Sequence, residues 1–147
     1  MERNEGRLPI NDGIDVISVG LTFKRFLDIA IQVNQAVAVV TDNDGDYMEK
    51  ITKKYEDYAC FEGISIFADD RESLKTLEPQ FVDANKANLK TLCDVIGLKH
   101  KDCDSPQRVV DYMLNNKTTW ALRVFEAKKS VQYPRYITDA VTWCKAE

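Results

Sequence analysis

The sequence has few features that would place it in or across a membrane. No apolar run approaches the roughly 18 residues that a membrane-spanning helix needs. The opening stretch, MERNEGRLPIND, is polar and lacks the apolar centre of a signal peptide. These absences lead us to expect a cytoplasmic protein without a membrane partner.

Metal-binding histidine and cysteine patterns are also missing. The chain has one histidine, His100, and its cysteines Cys60, Cys93, Cys103 and Cys144 form no C-x-x-C pair. Because the spacing of Cys93, His100 and Cys103 matches no common zinc pattern, we expect reduced thiols that pack in the core. The net charge of −4 also lacks the general basic surface of a nucleic-acid binder, so any DNA contact would be local.

The composition is that of a globular domain. With 147 residues, 44% of them hydrophobic and 30% charged, the chain can bury a core. We interpret residues 1–13 as a polar leader and residues 14–147 as one domain. No internal repeat or linker divides that domain.

The apolar pattern of the first half predicts alternating strands and helices. IDVISVG (14–20), AVAVVTD (36–42) and GISIFAD (63–69) are typical of strands, with amphipathic helical segments between them. The order β-α-β-α-β favours a parallel sheet covered by helices, which is an α/β fold. The second half predicts helices, one of them beginning at Ser105-Pro106.

A cluster of carboxylates follows the second predicted strand. Asp42, Asp44 and Asp46 lie in the sequence TDNDGDY. Like charges this close raise one another's pKa, and a bound cation would relieve the repulsion. They also follow a parallel strand, where open α/β sheets place their ligands. An EF-hand loop is excluded, since its sixth and twelfth positions would be Tyr47 and Lys53 instead of glycine and glutamate.

Two further interpretations of this cluster remain open. It could be a strand-to-helix turn in which Asp46 caps the helix. It also resembles the first motif of haloacid dehalogenase-type phosphatases, with Asp42 as nucleophile, Asp44 as general acid, and Asp69 and Asp70 imitating the later metal-binding pair. Against a phosphatase, a full β-α unit precedes the motif, and the interval to Asp69 is too short for the intervening motifs.

Four segments together carry a more specific resemblance. In chain order, GIDVISVGLTFKRFLDIA, VAVVTDNDGDY, TLEPQFVDAN and NNKTTWALRVFEA resemble the topoisomerase–primase (TOPRIM) domain of the OLD (overcoming lysogenization defect) family of ATP-dependent endonucleases. The resemblance implies a Rossmann-like sheet and metal-dependent cleavage of DNA. It implies that Asp42, Asp44 and Glu78 bind Mg²⁺ or Mn²⁺ and that Lys117 assists the cleaved phosphate. Asp46 is added as a ligand by its proximity.

The chain departs from that family at its start. The glutamate motif after the family's first strand is missing, since Glu5-Gly6 follows no apolar strand. No phosphate loop of the form G-x-x-x-x-G-K-S/T occurs. We therefore expect an incomplete C-terminal portion, with DNA, an ATPase portion and a second copy of the chain as partners, and with little cleavage by the chain alone. A non-catalytic scaffold or regulatory module is the alternative from another class.

Each of these single residues also has a purely structural interpretation. Glu78 would be an exposed turn carboxylate, and Lys117 would sit near the C-terminus of the preceding helix. Asp69 and Asp70 would be solvated turn residues. The stripe of Trp120, Val124 and Phe125 would pack in the core.

Overall fold

The structure, a computed structural model, describes residue 6 and residues 8–146. Within these residues lie two strands, β1 (Val37–Val40) and β2 (Ile64–Phe67). The α-helices of the same residues are α1 (Phe23–Gln32), α2 (Leu77–Ala84), α3 (Leu89–Ile96), α4 (Pro106–Asn115), α5 (Lys117–Glu126) and α6 (Arg135–Cys144). None of the helices described is long and apolar enough to cross a bilayer.

The two strands form a small parallel sheet between helices. Val37 lies opposite Ile64, and β-branched side chains of this kind favour strands. On one face, Phe23 and Leu27 of α1 pack with tyrosines from the turns that connect β1 to β2. On the other face α6 packs against both strands, with the ring of Trp143 6.3 Å from that of Phe67. This architecture confirms the α/β class.

The strand predicted at residues 14–20 is wrong. Residues 14–19 have no regular structure, and Gly20–Thr22 form a single 3₁₀ turn. Val16 and Ile17 are 83% and 64% exposed. A groove of about 630 Å³ separates this segment from β1, so the two backbones cannot form a hydrogen-bonded ladder. The described part of the sheet therefore has two strands where three were predicted.

The second half is helical, as predicted, and it has its own core. Helix α2 packs on α4, and α3 packs on α5. Ser105 begins α4 as predicted, because its hydroxyl accepts a hydrogen bond from the N–H of Arg108. Trp120 and Val124 of α5 are buried, but Phe125 is exposed, so the predicted core stripe is confirmed for the first two residues.

The expectation of reduced thiols is wrong for two of the cysteines. Cys93 on α3 and Cys103 before α4 form a disulfide, and their Cα atoms lie 6.3 Å apart. Both are buried in the helical core, where the fold brings them together across ten positions of sequence. Cys60 and Cys144 are free thiols.

Candidate functional site

The acidic loop begins where β1 ends. The N–H of Thr41 donates to the carbonyl of Phe67, which keeps β1 and β2 paired up to this point. Because the strands are parallel, the segments after both of them leave the sheet at the same edge. Asp42 and Asp44 follow β1, and Asp69 follows β2. For Asp42 and Asp44 this position after a parallel strand is the one that the sequence predicted.

Asn43, between the two aspartates, fastens the acidic loop to the loop after β2. Its side chain is fully buried, and its Nδ2 donates to the carbonyls of Asp69 at 2.7 Å and Arg71 at 3.1 Å. Its Oδ1 accepts the N–H of Gly45 at 2.8 Å. Asp44 adopts a left-handed backbone, with φ of 52°. Asn43 points inward, and the flanking carboxylates are left at the more accessible positions.

Glu78 and Lys117 come from the helical half. Glu78 is the second residue of α2 and is 5% exposed, so the interpretation as an exposed turn carboxylate is wrong. Lys117 begins α5, and its Nζ lies 3.5 Å from Oε1 of Glu78. A cation at a helix N-terminus is unfavourable to the helix dipole, and the buried carboxylate offsets that cost.

Asp42 interacts electrostatically with three other predicted site residues, Asp44, Glu78 and Lys117. Burial raises the pKa of the Asp42 carboxyl, and the negative charges of Glu78 and Asp44 raise it further. The positive charge of Lys117 opposes the rise. The structure thus brings Asp42, Asp44, Glu78 and Lys117 into one electrostatic neighbourhood, although 75 positions separate Asp42 from Lys117 in the sequence.

These carboxylates fit a divalent cation in charge and ligand type. Mg²⁺ prefers carboxylate oxygens and is usually held by one or two of them together with waters and phosphate oxygens. Within residues 8–146, however, no three histidine, cysteine, aspartate or glutamate side chains are grouped so that they could hold a metal ion. Because two carboxylates suffice for an open Mg²⁺ site, binding of Mg²⁺ or Mn²⁺ by these residues stays a prediction.

Asp46 has a structural role. Its Oδ1 accepts the N–H of Glu49 at 3.0 Å, and its carbonyl accepts the N–H of Lys50. These bonds begin the helical turn Met48–Lys53, as the capping interpretation predicted. Metal ligation by Asp46 stays a prediction, and one of its oxygens is already in use.

Asp69 differs from the solvated turn residue that was predicted. It is buried, and its two oxygens accept hydrogen bonds from the Arg71 guanidinium at 2.9 and 2.6 Å. The Arg71 guanidinium holds the pKa of the Asp69 carboxyl below its usual range. Asp70 is exposed, as predicted. With Asp69 engaged by arginine, the pair makes a poor metal-binding motif for a phosphatase.

Sequence reasoning missed two further polar residues beside the site. Gln80 on α2 is fully buried, donates to the carbonyl of Leu74 at 2.8 Å and accepts the hydroxyl of Tyr136 at 2.8 Å. Asn43 was missed in the same way. The signal that could have found them is an amide side chain in an unusual place. Asn43 lies between two aspartates in TDND, and Gln80 directly precedes two apolar residues in LEPQFV.

Comparisons of the chain with protein-family models, curated proteins and solved structures found no match. The resemblance to TOPRIM domains therefore depends on the quoted sequence segments alone.

Proposed function

We propose that this chain is the TOPRIM-type nuclease domain of an OLD-like, ATP-dependent, metal-dependent DNA endonuclease, built on a Rossmann-like sheet. The observation that supports the proposal is the convergence of Asp42, Asp44, Glu78 and Lys117. These residues come from three separate segments, and the sequence resemblance selects the same four.

The proposed roles follow from the charges of these side chains. Asp42, Asp44 and Glu78 would hold Mg²⁺ or Mn²⁺, which when bound supplies activation of water for attack on a phosphodiester. Lys117 has an exposed side chain, so its ammonium can reach a phosphate and stabilise the negative charge that develops there. Glu78 keeps Lys117 at this position before DNA arrives.

We further propose that the chain alone binds the cation weakly and cuts DNA poorly. The described residues group no three ligands around one point, and the resemblance implies an ATPase portion and DNA as partners. A second copy of the chain in a homodimer is part of the same proposal. Plasmid nicking by the isolated chain, dependent on Mg²⁺ and abolished in Asp42→Ala, would contradict the poor activity proposed here.

Thermal melting of Asp42→Asn tests the cation site. Because the folded-state pKa of Asp42 is raised, its ionised form costs stability above that pKa. Without metal at pH 7, Asp42→Asn should therefore melt at a higher temperature than wild type. The gain in free energy of unfolding should be at most about 1 kcal/mol. With MnCl₂, wild type should gain stability because the ion binds the folded state, and the variant should gain little.

Asp70→Asn is the matched control, since it removes a nearby exposed carboxylate that the proposal does not use. It should respond to MnCl₂ as wild type does. A wild-type melting temperature that does not move with MnCl₂ would contradict the cation site and favour the scaffold alternative.

A phosphatase remains the second enzyme to test. Hydrolysis of an aryl phosphate together with trapping of Asp42 by beryllofluoride would support it. The ion pair of Asp69 with Arg71 argues against a phosphatase, because it engages a carboxylate that the phosphatase motif would use to bind metal.

A further inference from the structure

We propose that Tyr136, Gln80 and Asn43 form one chain of hydrogen bonds that positions the two halves of the acidic site relative to each other. The proposal deepens the proposed function, because it concerns the same carboxylates. None of the three residues is in the set selected by the resemblance.

The chain begins on α6 and crosses to α2. The hydroxyl of Tyr136 donates to Oε1 of Gln80 at 2.8 Å, and both side chains are buried. Gln80 lies two residues after Glu78 on the same short helix. Holding the Gln80 side chain therefore restricts sliding and rotation of the turn that carries Glu78.

The chain then crosses from α2 to the acidic loop through one carbonyl. The Leu74 carbonyl accepts Nε2 of Gln80 at 2.8 Å and lies 3.4 Å from Nδ2 of Asn43, whose shorter bonds go to Asp69 and Arg71. The next carbonyl, of Lys75, accepts the N–H of Asp44 at 3.0 Å. Asn43 lies between Asp42 and Asp44, so this carbonyl joins the helix of Glu78 to the loop of the two aspartates. Removing the Tyr136 hydroxyl would leave Oε1 of the buried Gln80 without this hydrogen bond, which is costly.

The tyrosine hydroxyl is suited to act as a constant donor. Burial and the nearby charges of Asp42 and Asp69 raise the pKa of Tyr136, so it stays protonated at neutral pH. Side chains hydrogen-bonded directly to metal ligands typically change metal affinity by about 10- to 100-fold when removed. This chain of hydrogen bonds reaches the proposed ligands only through helix α2 and the acidic loop, so a smaller change is expected.

Tyr136→Phe tests the chain, because it removes one oxygen and keeps the packing. The control is Tyr133→Phe, since the Tyr133 ring packs edge-on against Phe81 and is partly exposed. Two measurements are made on the full chain: amide hydrogen exchange at Asp44 and Gly45 without metal, and Mn²⁺ affinity by titration.

We expect Tyr136→Phe to speed exchange of the two amides by about threefold or more and to weaken Mn²⁺ binding by about threefold, which is less than the loss of a group bonded directly to a ligand would give. Tyr133→Phe should change neither quantity. Gln80→Met, which keeps the volume and removes both bonds, should reproduce the effects of Tyr136→Phe.

The outcomes separate this proposal from the proposed function. Unchanged amide exchange in Tyr136→Phe would overturn the positioning chain, whether or not wild type binds Mn²⁺. Faster exchange with unchanged Mn²⁺ affinity would overturn its role in positioning the ligands. Faster exchange in a chain whose wild type binds no Mn²⁺ would uphold the link between the two segments and contradict the cation site.

Discussion

The helical half and the strand half of this molecule are packed very differently. Among the residues that the structure describes, the core cluster of the helical half contains twelve buried residues and a disulfide, whereas the cluster beside the sheet contains four buried residues. Two strands are marginal by themselves, and the strand half leaves large apolar side chains exposed. Among the described residues they include Val16, Ile17, Phe26, Ile29, Val33 and Val40, whereas the helical half exposes Leu114, Leu122, Phe125 and Tyr133.

The candidate site lies where these two halves meet. Asp42 and Asp44 belong to the strand half, and Glu78 and Lys117 belong to the helical half. The site can therefore be no better ordered than the contact between a well-packed half and a sparsely packed one. The buried polar side chains at this contact are what hold the carboxylates together.

Core truncation should give the largest difference between the halves. Leu92→Ala in the helical core should cost about 4 kcal/mol, and Leu27→Ala beside the sheet should cost about 3 kcal/mol. Both leucines are buried, but more of the surroundings of Leu27 can collapse into the space. Denaturant unfolding of the two variants measures the difference. A larger loss in Leu27→Ala would reverse the ranking of the two halves.

Reduction of the disulfide should give the next largest effect. The bond between Cys93 and Cys103 closes a loop of ten positions, so reduction should cost about 2–3 kcal/mol through the entropy of the unfolded chain. The measurement is the melting temperature with and without dithiothreitol. Replacing the exposed free Cys60 with alanine is the control and should leave the difference unchanged. Equal melting temperatures would show that the disulfide adds nothing to the helical half.

Asp69→Asn should give a smaller, pH-dependent effect. The folded-state pKa of Asp69 is lowered, so its pairing with Arg71 stabilises the fold above the unfolded pKa and is lost as pH falls through the folded one. Arg71 is half exposed, so at pH 7 we expect a loss of about 1 kcal/mol that disappears in acid.

The control for Asp69→Asn is Asp104→Asn, which removes an exposed ion pair with Arg108 in the helical half. It should cost less than about 0.5 kcal/mol at any pH. Melting temperatures from pH 3 to pH 7 compare the two. Equal losses would mean that burial of Asp69 gives its ion pair no advantage.

Local sequence patterns predicted most of the helices and two of the strands. The amphipathic pattern between the first two predicted strands and the Ser105-Pro106 start were sufficient, because helix periodicity and capping act within a few residues. The predicted strand at residues 14–20 failed for the opposite reason. A strand is completed by a hydrogen-bonded neighbour, and no local pattern shows whether that neighbour is present.

The candidate site shows the same division between what local sequence predicts and what tertiary packing decides. The sequence alone determined that three carboxylates follow an apolar strand, and the resemblance to TOPRIM domains selected Glu78 and Lys117. Only the tertiary structure placed Glu78 in the interior against Lys117, gave Asp69 to Arg71, and joined Cys93 to Cys103. The reason is physical: charge, periodicity and turn chemistry are local properties, whereas burial and ion pairing depend on which distant segments pack together.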